Sequence, residues 1–222
     1  MSRKIGEVFS GIKETEILDN TTIVDIIYDR DDYSLVRYAL GPNTSIPAER
    51  YYNPAVYIVL KGTLELDVIK DGEHHLCEIK KGFGFLRKEN QLVGLRGGNE
   101  GALCAEVTLR KDSIYSKRLE FNRIFEAKNL VHYEPGQRSI LHVIDDELFK
   151  VQLIAFSEKF EYEMIVPQEV FIICVEGRAD LYYKDKHHIL NVGDEFILPR
   201  NAVYDVHVSG RSKLCIQYLG EE

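Results

Sequence analysis

Apolar and polar residues alternate with a period of two over most of the chain. In the first half the alternating stretches are YSLVRYAL, AVYIVL, TLELDVI, GFGFL and ALCAEVTL; in the second they are LFKVQLIAF, VFIICV, ADLYY, DEFILP, YDVHV and KLCIQYL. They are short, rich in Val, Ile, Tyr and Phe, and separated by Gly, Asp and Asn, which predicts strands joined by tight turns. Many short strands with few helical runs point to an all-β barrel or sandwich. Two stretches break the alternation. Residues 117–128 carry Leu119, Ile124 and Phe125 at helical spacing, and the amino terminus does the same with Ile5, Val8, Phe9 and Ile12. Each reads as a short helical segment packed on the core rather than a helix that binds a partner.

The pattern occurs twice. Gly82, Phe85, Asn90, Leu103 and Cys104 reappear as Gly193, Phe196, Asn201, Leu214 and Cys215, at one offset of about 111. Upstream the offset drifts: Gly62 of YIVLKG answers Gly177 of IICVEG, YSLVRYAL answers FKVQLIAF, and Val8-Phe9 answers Ile124-Phe125. Turn tips of unequal length, KDGEHH against KDKHH, account for the drift, because tips tolerate insertions. A repeat of this size is a whole domain rather than a solenoid unit. We therefore expect two homologous β domains, residues 1–112 and 113–222, with the boundary in the charged stretch KDSIYSKRLEF.

These repeated residues resemble the cupin superfamily, and specifically a bicupin with two RmlC-like jelly rolls. Cupins carry a first motif, G-x5-H-x-H-x3,4-E-x6-G, and a second, G-x5-P-x-G-x2-H-x3-N. GDEFILPRNAVY, from Gly193 through Pro199 to Tyr204, is similar to the second motif, and EVFIICVEG resembles the close of the first at Gly177. In the first half AVYIVLKG closes the first motif at Gly62, and GFGFLRKENQLV from Gly82 is a degenerate second motif. The implied fold is two tandem double-stranded β-helix barrels with short helical segments.

The resemblance also implies where a metal would sit, since metal-binding cupins present three histidines and a glutamate to a divalent ion. In the first half the paired-histidine positions fall at Ala48 and Arg50, or at Glu49 and Tyr51 with a spacer one residue shorter. The glutamate falls at Ala55 and the last histidine at Val93. In the second half they fall at Glu163 and Ile165, or Met164 and Val166, then at Val170 and Tyr204. A lone carboxylate does not hold a transition ion, for which a protein usually offers three or more ligands. No metal and no other cofactor is expected, and the metal-dependent activities of the family are not assigned. His74-His75 and His187-His188 are placed at hairpin tips, and His132, His142 and His207 lack partners at ligand spacing.

Some cupins act without metal through a base and a tyrosine acid, which must both reach one substrate atom. The candidates for such a lumen are Arg37, Glu49, Arg50, Tyr51 and Tyr57 in the first half. Tyr162, Glu163 and Tyr204 are those of the second, with Glu49 and Tyr204 as separate catalytic candidates, one in each half, and Glu163 as the base that Tyr204 would need beside it. Guanidinium, carboxylate and phenols together suit an acidic or sugar-like ligand. Three readings stay open: a small-molecule binding or sensing protein, a metal-independent isomerase or epimerase acting on a sugar or organic acid, and a packed structural or interaction module.

Composition narrows the partners. The 222 residues carry 28 basic and 36 acidic side chains, a formal charge of −8, which disfavours nucleic acid. The longest apolar runs, Ala55–Leu60 and Val170–Val175, are too short to cross a bilayer as helices, and the start MSRKIGEVFSG lacks a secretion signal's apolar stretch. A cytoplasmic protein without membrane partner is expected, and a homodimer fits the need to cover edge strands. Cys77, Cys104, Cys174 and Cys215 form no CxxC pair and read as small hydrophobes in a reducing compartment. The acidic runs YDRDD (28–32) and IDDE (144–147) read as solvated turns.

Overall fold

The computed structural model describes residues 5–29, 33–109, 116–145 and 149–219. A two-residue strand β1 (Val8–Phe9) and one helical turn α1 (Gly11–Glu14) come first. The first half continues with β2 (Thr22–Asp29), β3 (Ser34–Leu40), β4 (Ser45–Tyr51), β5 (Ala55–Lys70), β6 (Glu73–Lys80), β7 (Phe83–Arg87) and β8 (Gln91–Thr108). A short β9 (Ile124–Glu126) and a 3-10 turn (Ala127–Asn129) lead into β10 (Arg138–Asp145), β11 (Lys150–Phe156), β12 (Phe160–Val166) and β13 (Glu169–Glu176). The chain closes with β14 (Arg178–Tyr183), β15 (Lys186–Asn191), β16 (Glu195–Leu198), β17 (Ala202–Val208) and β18 (Ser212–Leu219). The tips of both acidic runs, residues 30–32 and 146–147, lie outside the described residues, as do residues 110–115 at the expected domain boundary.

The chain forms two compact units. In the first-half unit the order is β2-β3-β8-β5-β7-β9, with β4 added on β8 and β6 on β5. Strands β5 and β8 run 16 and 18 residues and pair with each other along both ends. The pairing shifts register around Gly62, where the ladder bends. Gly62 has φ +70°, and a side chain there would strike the Gly101 carbonyl. In the second-half unit the same path is cut. Gly177 separates β13 from β14, and one six-stranded sheet (β1-β16-β13-β18-β11-β10) accompanies a four-stranded one (β12-β17-β14-β15). Each unit encloses its own apolar core. Leu40, Tyr57, Leu64, Leu66, Phe85 and Val93 lead in the first, and Phe156, Ile172, Leu181, Phe196, Tyr204 and Ile216 in the second.

The units do not coincide with the two halves of the chain. Residues 5–14 belong with the second-half strands, and residues 117–127 with the first-half strands. Val8 and Phe9 pair with Phe196 and Glu195 at the edge of β16, where Gly6 N–H also donates to the Ile197 carbonyl at 2.9 Å. The turn after β1 is held by Ser10 Oγ donating to the Gly193 carbonyl at 3.2 Å and by Lys13 Nζ on Asp194 at 3.0 Å. Ile124, Phe125 and Glu126 pair in the same way with Phe85, Gly84 and Phe83 of β7. Both segments were expected as helices. They are strands because each finds an open sheet edge, whose ladder satisfies its backbone better than an isolated short helix would. α1 is all that remains of the expected amino-terminal helix.

One sequence match is out of register. Leu103-Cys104 resembles Leu214-Cys215, but Tyr38 pairs with Cys104 whereas its counterpart Ile154 pairs with Leu214. Cys104 therefore corresponds to Leu214, and the two Leu-Cys pairs point to opposite faces, since a one-residue slip inverts a strand. Asn90 and Asn201 do correspond: both take a left-handed conformation (φ 57° and 59°) in the turn before β8 or β17.

Replacing Gly177 by Ala should destabilise the protein far more than replacing Gly72. Both have positive φ, +74° and +82°. At Gly72 a Cβ meets nothing, so only the backbone strain of about 1–2 kcal/mol applies. At Gly177 it also collides with the Arg211 carbonyl, which forces β13 and β18 to shift. Urea denaturation of the two variants measures the difference.

Candidate functional site

Alternation decides which residues of the first-half unit face its lumen. Along β8 these are Ala102, Cys104, Glu106 and Thr108; along β5, Ala55, Tyr57 and Val59; along β7, Phe83, Phe85 and Arg87. Tyr38 of β3 and Tyr51 of β4 face the same side. One end of the lumen is thus polar although its walls are apolar. Arg87 is fully buried and Glu106 is 3% exposed, and Arg87 Nη2 stands 3.8 Å from Glu106 Oε1. That is a contact of charges beyond hydrogen-bond length. Arg87 Nη1 donates to the Tyr51 carbonyl at 3.4 Å, and its guanidinium lies 4.4 Å from the Tyr51 ring centre and 6.0 Å from that of Tyr57. Thr108 Oγ1 donates to Glu106 Oε1 at 3.2 Å.

Several atoms of this cluster are buried without a hydrogen-bond partner: Arg87 Nε and Nη2, Glu106 Oε2 and Tyr57 Oη. Burial pushes the Glu106 carboxyl above its ordinary range, against the pull of the Arg87 charge and of the nearby hydroxyls of Tyr57, Thr108 and Tyr38. Burial first, and then the Glu106 charge, raise the phenols of Tyr38, Tyr51 and Tyr57, so all three stay neutral donors. Arg87, Glu106 and Tyr38 escaped the sequence reading. Their signal was present as charged or phenolic residues at inward positions of apolar strands, but which positions point inward depends on register.

The candidates named from sequence are dispersed. Tyr51 and Tyr57 lie in the polar cluster. Glu49 is paired with Val93, on the same face as Tyr51, and is exposed at the rim, where its charge helps raise the Tyr51 phenol. Arg50 points the other way and donates to the Asn90 carbonyl at 3.1 Å. Arg37 does not reach the lumen. It alternates with Tyr38, lies buried on the opposite face of β3, and stands 3.9 Å from Asp25 of β2.

In the second-half unit Tyr204 is buried and its hydroxyl donates to Met164 Sδ at 3.3 Å. Tyr162 also points inward, stacked 5.8 Å from Phe156, with its hydroxyl unpartnered. Glu163, expected as the base beside Tyr204, is exposed on the outer face opposite Asp205. Met164 takes the inward place because the shorter motif spacing is the one the strand adopts. The positions that form the polar end in the first-half unit are apolar here. Leu198 stands for Arg87, Ile216 for Glu106, Ile172 for Tyr57, Ile154 for Tyr38 and Val166 for Tyr51, and all belong to the buried core. The histidine pairs start β6 and β15 rather than sitting at the tips. His187 faces out to Asp180 at 2.8 Å, whereas His188 packs inward on Phe196, 4.8 Å between ring centres.

The resident ion that the fold family implies does not fit these donors. At its ligand positions stand Glu49, Tyr51, Ala55 and Val93 in one unit and Met164, Val166, Val170 and Tyr204 in the other, a single carboxylate and no imidazole. Among the described residues no group of three or more His, Cys, Asp or Glu is arranged to hold a metal. The four cysteines are free, and burial pushes the Cys174 thiol up to about 11 and Cys215 up to about 12.

No family model matches this sequence, and no curated protein matches it. Solved structures do. A cupin 2 conserved barrel domain protein from Leptotrichia buccalis superposes with a TM-score of 0.83 at 13% identity, covering 98% of this chain and 98% of that one. Ylba from E. coli superposes with a TM-score of 0.62 at 10% identity, over 97% and 91% of the two chains. A salicylate 1,2-dioxygenase from Pseudaminobacter salicylatoxidans gives 0.61 at 11% identity, over 84% and 70%. At such identities the likeness establishes the fold, which is the all-β jelly roll of cupin-domain proteins.

Two outcomes test the polar cluster. Arg87→Leu alone should cost about 3–5 kcal/mol, because it strands the buried Glu106 carboxylate. The double variant Arg87→Leu/Glu106→Ile, which installs the residues of the other unit, should recover that loss in urea denaturation. The raised Glu106 carboxyl also sets a pH dependence. Its proton is held more tightly in the folded chain, so its contribution is complete below the ordinary carboxyl value of 4.5 and is lost as pH climbs through the raised folded value. Denaturation midpoints across that window should fall more steeply in the wild type than in Glu106→Gln.

Proposed function

We propose that this protein binds or senses a small molecule, and that its site is the polar end of the first-half lumen. The observation that carries the reading is the set of buried, unpartnered polar atoms on Arg87, Glu106 and Tyr57. A buried polar group without a partner costs about 1–3 kcal/mol, and more when charged. A barrel that served only as a packed module loses nothing by filling those positions with aliphatic side chains, as Leu198, Ile216 and Ile172 fill them in the other unit. A ligand that supplies the missing partners offsets the cost. An apolar wall with a few converging polar groups is also the usual make-up of a small-molecule site.

A metal-independent isomerase is the second reading, and it shifts from its sequence-level residues. Tyr204 has no carboxylate on its face of β17, since Glu163 points outward, so it lacks a base. Glu106 beside the phenols of Tyr38 and Tyr57 is a carboxyl and hydroxyl pair that suits proton transfer. A cytoplasmic location belongs to the same reading. No helix among the described residues is long and apolar enough to cross a membrane.

A thermal-shift screen of the full chain against organic acids, sugars and nucleosides tests the binding reading. A ligand present at about 100 times its Kd should add about 2.7 kcal/mol. The shift should shrink in the Arg87→Leu/Glu106→Ile variant. Silence across the three classes would count against a site here and favour the packed module.

A further inference from the structure

Arg87 offers a particular edge. Its hydrogen-bonded nitrogen is Nη1, and the two without a hydrogen bond, Nε and Nη2, the latter 3.8 Å from Glu106 Oε1, form the side of the guanidinium that meets two oxygens at once. The surrounding Tyr38, Tyr51 and Tyr57 hydroxyls stay protonated and add donors, whereas Glu106 is the one buried acidic group of the cluster. The lumen thus asks for a compact acceptor with two oxygens.

Cross-strand register supplies the rest. Tyr57 pairs with Glu106, Glu106 with Val36, and Val36 with Ile26, so these four side chains form one row on the lumen face from β5 to β2. The next row runs Val59, Cys104, Tyr38 and Val24. Exposure climbs along both rows, to 51% at Val24 and 60% at Ile26. Two strand spacings, about 10 Å, separate the buried carboxyl from an apolar ledge open to water.

We propose that the ligand of the first-half lumen is a carboxylic acid with an apolar body, its carboxylate on the Nε and Nη2 edge of Arg87 and its hydrocarbon lying over Val36, Ile26 and Val24. The proposal rests on the binding reading above and narrows it to one chemical class. Two carboxyl groups then share one guanidinium. The groups facing Glu106 are Arg87 from β7, Tyr57 from β5, Tyr38 from β3, Tyr51 from β4, and Cys104 and Thr108 from β8, with the exposed Glu49 acting on Tyr51. Arg87 is the one cation among them, so the bound acid is best accommodated when Glu106 takes up a proton. Affinity falls as pH rises.

Calorimetry on the full chain with butanoate, hexanoate and octanoate, their primary alcohols and glucose, between about pH 5.5 and 8, tests this. The acids should bind, up to about fourfold tighter per added methylene, and more weakly at the upper pH, with the alcohols and glucose silent. Ile26→Ser changes an exposed side chain and leaves the core untouched. It should flatten the chain-length gain while sparing butanoate. Binding of glucose or the alcohols with the acids silent would overturn the carboxylate while leaving the site standing. Acids that bind without a chain-length gain would overturn the apolar ledge. Silence from every compound would sink both the proposal and the binding reading.

Discussion

The first-half unit is built on one ladder, the pairing of β5 with β8, and on the bend that this ladder makes at Gly62. Two long antiparallel strands cannot enclose a lumen while flat, and a bend needs a residue that accepts a left-handed conformation and lets the opposing backbone come close. Gly62 does both against Gly101. On one side of the bend β3 and β7 join the ladder, and on the other β6 and β4 do. Every inward residue named here, from Ala102 to Thr108 and from Ala55 to Val59, faces inward because that ladder holds its register. Gly177 serves the same purpose in the other unit, where the strands are interrupted rather than bent through.

The shared strand plan of the two units makes the contrast between their lumens informative. In one of them the positions around the polar end carry leucine, isoleucine and valine packed to near-complete burial. The other keeps an arginine, a glutamate and three tyrosines there. Taking such a charge pair out of water costs several kcal/mol per ion before their attraction is counted, and an apolar core of similar volume is often as stable or more so. The apolar version exists within the same chain. Its polar counterpart is therefore the feature that stability does not explain, and it is what the proposed ligand accounts for.

The segments that precede each set of strands show how an edge overrides a local preference. Val8-Phe9 and Ile124-Phe125 have apolar spacing compatible with a helix, yet both become strands on β16 and β7. Gly84 permits this at one of the two edges, since a Cβ there would stand 2.6 Å from the Phe125 ring. The consequence is a chain in which each early segment completes the sheet of the opposite half. Sequence similarity between the halves had marked the two segments as equivalent, but similarity cannot say which sheet each one completes.

Strand alternation, the turn glycines, Asn90 and Asn201 and the repeated spacing were legible from residues alone, because each reflects a local rule: a period of two, or a backbone angle that few residues accept. Those signals determined an all-β chain of cupin-like pattern. Tyr51 and Tyr57, named from the sequence, lie in the polar cluster of the first-half unit. Arg87, Glu106 and Tyr38 were not found, whereas Arg37, Arg50 and Glu163 were placed where they do not lie. The reason is parity. A strand read alone has two faces related by a shift of one residue, and only pairing with its neighbours decides which is buried. The tertiary structure made that choice at Tyr38 over Arg37, at Met164 over Glu163 and at Cys104 over its look-alike Cys215, and with it decided which charges share a lumen.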